Sequence, residues 1–281
     1  MTTRCAVLGS PIGHSLSPVL HRAAYAELGL DDWTYDGVVV DAAGLAEFVG
    51  GLDSHWRGLS LTMPLKRVVI PLVDSLDTWT RLSGVANTVI LGDERRLAFN
   101  TDIPGAMTAL VERTSQPLES AVVLGGGATA TSTLLALVEL GCTSARVLVR
   151  DPSRAEETVA VVASHPRQPE VSVLPLSEVE ALHADIVVST VPAQAQTPEL
   201  LAACAAVPVV FDVVYDPWPT PLARAALDSG RDLVAGLDLL AQQAVLQVQL
   251  MTGQSVSADL LRAAGRDELE RRAVQNAPRR G

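Results

Sequence analysis

The sequence predicts an α/β protein of two domains, the second a doubly wound parallel sheet, on three observations. Short apolar runs rich in β-branched residues alternate with amphipathic stretches. A glycine-rich turn in mid-chain joins one such run to a helical stretch, and 281 residues at 48% hydrophobic content suffice for two buried cores. The first set has strands at Arg4 to Leu8, Tyr35 to Val40, Gly58 to Leu61, Thr88 to Leu91 and Arg96 to Phe99. Helices begin near Pro18, Ala43 and Leu65; Pro18 after Ser17, and Leu65 after Pro64, use proline's fixed φ to start a turn. Turn formers from Asn100 to Gly105 close this set and lead into a helical run from Ala106 to Val111.

The second set alternates regularly: strand Ala121 to Leu124, helix Ala128 to Leu140, strand Ala145 to Val149, helix Ser153 to Ser164, then strands Val171 to Leu174, Asp185 to Ser189, Val207 to Asp212 and a short one near Leu233. Both sets read as parallel sheets of strand-helix-strand units. After Gly236 the pattern is helical, with Leu237 to Met251 and Ala258 to Arg271 followed by a basic tail ending Arg279, Arg280, Gly281. The expected division is 1–104, 105–236 and 237–281, the last returning as helices to cover the first domain.

With 32 acidic against 21 basic residues and a net charge of −11, nucleic acid and anionic membranes are poor partners, so an anionic ligand must be held by local donors. Cys5, Cys142 and Cys204 are scattered and make no Cys-x-x-Cys, and the five histidines lack metal-ligand spacing, so neither a disulfide framework nor a metal is expected. No apolar run reaches the roughly 18 to 20 residues of a membrane span. A small-molecule substrate, a cytoplasmic location and a monomer or homodimer are the expectations.

Gly125-Gly126-Gly127-Ala128-Thr129-Ala130 follows the strand ending at Leu124 and opens a helix, which makes it a Gly-x-Gly-x-x-Ala turn in the context of a Rossmann-type nucleotide-binding domain. Gly125 allows the tight turn, Gly127 lets backbone approach a pyrophosphate, and Ala130 lets helix pack closely on strand, while the helix N-terminus offers N–H groups to an anion. Cofactor choice is read after the next strand, at Arg150, Asp151 and Arg154. The carboxylate suits the ribose hydroxyls of NAD and the arginines suit the extra phosphate of NADP; Asp151 can also serve as a helix cap. NADP is preferred and NAD stays open.

The run Gly9-Ser10-Pro11-Ile12-Gly13-His14-Ser15-Leu16-Ser17-Pro18 resembles the opening signature of shikimate dehydrogenases. Gly58-Leu59-Ser60-Leu61-Thr62-Met63-Pro64-Leu65-Lys66 is similar to the segment carrying that family's catalytic lysine. Ala86-Asn87-Thr88 and Asn100-Thr101-Asp102-Ile103-Pro104-Gly105 resemble those of its substrate asparagine and catalytic aspartate. Asp212 to Pro217, Thr220 to Leu222, Gly236, Leu239-Leu240 and Gln243-Ala244 resemble the hinge side of the family's cofactor site.

The resemblance implies reversible NADP-dependent reduction of 3-dehydroshikimate to shikimate, a step toward chorismate and the aromatic amino acids, with Lys66 and Asp102 in proton transfer. Hydride arriving at a carbonyl carbon leaves charge on oxygen, and a positioned proton donor or cation must meet it; Lys66 suits that task. Asp102, between a strand and a helix, can cap the helix as well. By the resemblance Ser15 and Ser17 hold the substrate carboxylate, with Ser60, Thr62, Asn87, Tyr215 and Gln243 around the ring, while Thr190, Val191, Val213, Gly236 and Leu239 line the nicotinamide. Ser60 stands where the family more often has asparagine, and Asp151 where a small hydroxyl or amide residue is commoner. A quinate/shikimate or aminoshikimate dehydrogenase preferring NAD, and a non-catalytic metabolite sensor, are the alternatives.

Overall fold

The computed structural model describes residues 2–92, 95–178 and 181–276, so the basic tail from Ala277 to Gly281 lies outside the described residues. In chain order the elements are β1 (Thr3–Gly9), α1 (Ser17–Glu27), β2 (Trp33–Val39), α2 (Leu45–Gly50), β3 (Trp56–Leu61), α3 (Leu65–Val68), β4 (Ser75–Leu76), α4 (Thr78–Ser83), β5 (Thr88–Leu91), β6 (Arg96–Phe99) and α5 (Asp102–Arg113). There follow β7 (Ser120–Leu124), α6 (Ala128–Glu139), β8 (Ser144–Val149), α7 (Glu156–Ala163), β9 (Glu170–Pro175), β10 (Ile186–Ser189), α8 (Pro198–Ala203), β11 (Val209–Asp212), α9 (Pro221–Asp228), β12 (Asp232–Ala235), α10 (Gly236–Thr252) and α11 (Ala258–Asn276). Two compact units result: Met1–Asp77, Ala86–Thr101 and Leu240–Gly281 form one, Thr78–Val85 and Asp102–Leu239 the other.

The first unit holds a six-stranded sheet in the order β2-β1-β3-β5-β6-β4. β1 pairs parallel with β2 and β3, but β5 runs antiparallel to both β3 and β6. This corrects the expectation of a parallel sheet. The link from β5 to β6 spans only Gly92 to Arg95, closed by Gly92 N donating to Arg95 O at 3.0 Å, and a parallel crossover needs a dozen residues or more. The reversal matters for the site: it brings the first residues of β5 to the sheet edge where β1, β3 and β6 end. Ala6, Leu8, Leu59, Leu61, Val89 and Ala98 from the strands pack against Leu45, Val49, Leu65 and Val69 on one face, and α11 packs against α1.

The second unit holds a wholly parallel sheet in the order β12-β11-β10-β7-β8-β9, so the winding reverses between β7 and β10. Apolar residues cover both faces: Val123, Val147, Val188 and Phe211 lie in one core, Val122, Leu124, Leu148 and Val210 in the other. The helix opened by the glycine turn, α6, buries nine consecutive residues, Ala130 to Val138, between the sheet and its neighbours α5 and α7. Trp79 and Leu82 of α4 pack on this core, so Thr78–Val85, which carried no periodic signal of its own, joins the second unit.

Helix α5 starts at Asp102, four residues before the expected run, because Pro104 falls in its first turn, where an N–H is not needed. The expected helix Ser153 to Ser164 divides into a 3₁₀ turn at Pro152–Ala155 and α7. α8 and α9, each with proline at its first position and capped by Thr197 and Thr220, were not separated from loop in the sequence.

Candidate active site

The carboxyl edge of the first sheet gathers most of the residues expected to hold substrate. Ser15 and Ser17 follow β1: Ser15 Oγ accepts from Ser17 N at 3.3 Å, and Ser17, buried, is the first residue of α1. Beneath them His21 lies fully buried, its Nδ1 donating to Ser17 O at 2.9 Å and its ring stacked 3.9 Å from Tyr35; burial drives its pKa down to about 4.

Thr62 follows β3 and is half-buried, its N–H donating to Leu8 O at 2.9 Å, and a side chain at Gly9 would collide with its methyl group. Lys66 is the second residue of α3, and its carbonyl accepts from Ala86 N at 2.8 Å, which ties the lysine turn to the residue before Asn87. Leu61 N donates to Asn87 O at 2.7 Å, so β3 and the start of β5 are joined on both sides of the turn.

Asn87 is buried, and its carboxamide has a defined orientation. Its Oδ1 accepts from Thr101 N at 2.9 Å, a backbone donor that cannot reverse, so Nδ2 faces Thr101 Oγ1 at 2.9 Å and Gln243 Oε1 at 3.4 Å. Gln243, on α10, is held by Nε2 donating to Leu240 O at 2.7 Å. Asp102, next in the chain after Thr101, is buried at the start of α5. Within the first unit this array offers amide and hydroxyl hydrogen-bonding groups of the kind that recognise a polar, hydroxylated ligand.

Ser60, expected near the substrate ring, makes its hydrogen bonds inside the first unit. It is buried on β3, accepting from Tyr35 Oη at 2.6 Å and donating to Gln247 Oε1 at 2.8 Å, so its single proton is engaged within the first unit. Tyr35, Thr88, Thr101 and Gln247, partners in the same network, were not singled out from sequence. Gln247 had one available signal: it lies four residues after Gln243, on the same face of a helix.

In the second unit the glycine turn sits at the point where strand order reverses, the usual crevice of open α/β sheets. Gly125 has φ +105°, and a Cβ there would collide with Thr190 Oγ1, which itself donates to Leu124 O at 2.9 Å. Gly126 packs on the backbone of Arg154 and Ala155, and its carbonyl accepts from the buried Thr158 at 2.8 Å. Gly127 caps α6 and faces open space, Ala128 and Thr129 follow half-buried, and Ala130 is fully buried. The backbone can therefore approach an anion at Gly127 while Gly125 and Gly126 are occupied with packing.

Asp151 is exposed, and its Oδ1 accepts from both Ser153 N at 3.0 Å and Ser153 Oγ at 2.8 Å; those bonds hold the carboxyl below its ordinary pKa. Its capping role is thus observed, with Arg150 and Arg154 exposed on either side in sequence. Val191 and Val213 are half-buried and Gly236 and Leu239 are buried; a side chain at Gly236 would collide with the backbone of Val213.

The loop carrying Val213 and the half-buried Tyr215 is anchored by Asp212, a fully buried carboxylate that accepts from Gln196 Nε2 at 2.8 Å, Val214 N at 3.1 Å and Thr220 Oγ1. Gln196 also donates to Ser189 Oγ at 3.2 Å and accepts from Leu222 N at 2.9 Å, which joins the turns after β10 and β11. Burial pushes the Asp212 carboxyl above its ordinary pKa despite these donors. Among the described residues no group of His, Cys, Asp and Glu is arranged to hold a metal ion, and no helix is long and apolar enough to cross a membrane.

Residues 7–89 match the family model for the shikimate dehydrogenase substrate binding domain. The shikimate dehydrogenase of Mycobacterium tuberculosis is 35% identical in sequence and superposes with a TM-score of 0.84 over 94% of this chain and 99% of that one. The Thermus thermophilus shikimate 5-dehydrogenase, solved with NADP(H) and shikimate, is 28% identical with a TM-score of 0.82 over 95% of this chain and 99% of its own. The shikimate dehydrogenase (NADP(+)) of Moorella thermoacetica is 34% identical over 262 residues, 89% of this chain and 88% of that protein. With similarity of this extent running through both units, the chain belongs to the shikimate dehydrogenase family.

Proposed function

We propose that this protein interconverts 3-dehydroshikimate and shikimate with NADP as redox partner. The observation that carries the reading is the end-to-end match to a structure solved with both NADP(H) and shikimate; Lys66, Asn87 and Asp102, which follow strands, and Gln243 on α10 are the groups proposed for the chemistry. The first unit is read as the substrate domain, with the C-terminal helices that belong to it, and the second as the dinucleotide domain. The residues present suit NADP: the turn at Gly127 is open to a pyrophosphate, and Arg150 and Arg154 offer cations to a 2′-phosphate while Asp151 is engaged as a cap. When bound, NADP supplies the acceptor for hydride at its nicotinamide ring.

The chain's own residues do the rest. Ser15 and Ser17 hold the substrate carboxylate, and Thr62, Asn87, Tyr215 and Gln243 orient the ring hydroxyls. In the oxidation of shikimate, the proton on the reacting hydroxyl passes to the Lys66 and Asp102 pair as the carbinol hydrogen leaves with its electron pair. In the reverse direction the same pair returns a proton to the oxygen as charge develops on it. The reaction is assigned to the cytoplasm, supported by three buried, free cysteines.

Shikimate oxidation by purified protein, followed as NADPH formation, tests the assignment. Turnover with NADP exceeding that with NAD is expected, and Lys66→Ala should lower kcat by about a hundredfold to ten-thousandfold. No turnover with either cofactor, or a preference for quinate with NAD, would overturn it.

A further inference from the structure

The polar contacts inside the first unit form a chain whose direction is set at both ends by backbone groups. Gln247 Nε2 lies 3.2 Å from Asn87 O, a carbonyl that can only accept, and so this atom must be the amide nitrogen. Its second hydrogen goes to Thr88 Oγ1 at 2.9 Å. Oε1 then faces Ser60, which must donate to it at 2.8 Å. With that proton used, Ser60 can only accept from Tyr35 Oη, at 2.6 Å.

On the other side Thr88, already accepting from Gln247, sends its only proton to Asn87 Oδ1 at 2.9 Å. That is the oxygen Thr101 N also addresses, at 2.9 Å, so the two determinations agree. All these side chains are buried, where an unmatched donor or acceptor costs more than at a surface.

We infer that Tyr35, Ser60, Gln247 and Thr88 form a one-directional hydrogen-bond relay that positions the Asn87 amide, with Gln247 as its pivot and Ser60 a member of the relay instead of a substrate ligand. Asn87 Nδ2 is thereby presented as a donor on the side of Gln243. The 3.4 Å contact there is the longest bond of the network, the one a substrate hydroxyl can replace without disturbing the buried bonds. This inference rests on the proposed shikimate dehydrogenase activity for its kinetic readout.

Thr88→Val removes the hydroxyl at nearly constant volume, and Thr88→Ser restores it. The valine variant should raise KM for shikimate about tenfold with KM for NADP changed less than twofold, and the serine variant should recover most of the loss. In an Asn87→Ala background the effect of Thr88→Val on shikimate KM should vanish, because its route through Asn87 is gone. A purely structural role would lower melting temperature without that coupling; an undiminished effect in the Asn87→Ala background would overturn the inference. If Thr88→Val fails to fold, Tyr35→Phe, which removes one hydroxyl at the far end, should give a smaller rise in shikimate KM with the same coupling, and no rise in that folded variant would equally overturn it. A wild-type protein inert on shikimate would refute the proposed activity alone. In that case the NMR signals of the Asn87 side-chain amide still decide the relay: hydrogen exchange at least tenfold faster in Thr88→Val supports it and unchanged exchange refutes it.

Discussion

One contribution to acid sensitivity should come from His21. Its ring is fully buried, its Nδ1 is committed to Ser17 O, and its Nε2 has no hydrogen-bond partner among the described residues, so a second proton would place an unpaired charge against the Tyr35 ring. The folded pKa is about 4 against an ordinary 6.5. A base with a depressed folded pKa contributes stability that is present above the unfolded value and disappears as pH falls, since the unfolded chain takes up the proton first. At about 1.4 kcal/mol per pH unit the loss is about 2 kcal/mol by about pH 5 and about 3 kcal/mol by pH 4, where it levels off.

His21→Phe keeps a ring on Tyr35 and removes the titration, at a cost of about 1 kcal/mol for the lost bond to Ser17. Urea unfolding of both proteins at about pH 7.5 and about pH 5 should show wild type losing about 2 kcal/mol more than the variant. An NMR titration of the histidines should show one that stays neutral to below pH 5. Parallel pH profiles for the two proteins, or His21 titrating near its ordinary value, would refute the reasoning.

The glycine turn separates packing from binding. Gly125→Ala, forced into positive φ against Thr190, should destabilise by about 2 kcal/mol or more, whereas Gly127→Ala, with open space for its methyl, should leave melting within a few degrees and weaken NADP binding. Equal melting temperatures for wild type and Gly125→Ala would count against the first half, and unchanged NADP affinity in Gly127→Ala against the second. On α11, Arg272 donates to His14 O at 2.9 Å and is itself held by Glu268 at 2.7 Å, whose carboxyl the adjacent Arg271 and Arg272 pull down to about 2. Arg272→Met should therefore loosen the serine turn and raise KM for shikimate several-fold with little change in kcat; steady-state kinetics showing an unchanged KM would remove that arginine from the account.

Much of the architecture was legible because its signals are local. Short apolar runs rich in β-branched residues marked β1, β3, β7 and β10 to within two residues, and a strand-glycine-helix sequence marked the turn at Gly125. The ordered motifs singled out Lys66, Asn87, Asp102 and Gln243 as the groups proposed for the site, each following a strand or lying on a helix, where neighbours in sequence define the setting.

What the chain determined alone was therefore most of the strands and the longer helices, the glycine turn and the placement of candidate groups after strands. The tertiary structure decided the antiparallel course of β5 that carries Asn87 to the sheet edge, the adoption of Thr78–Val85 by the second core, and the hydrogen-bond partners of Ser60. Strand direction follows from the length of the connection, and a hydroxyl's role follows from which acceptor it meets. For Ser60 that acceptor is Gln247, 187 residues further along the chain, a separation no local pattern can span.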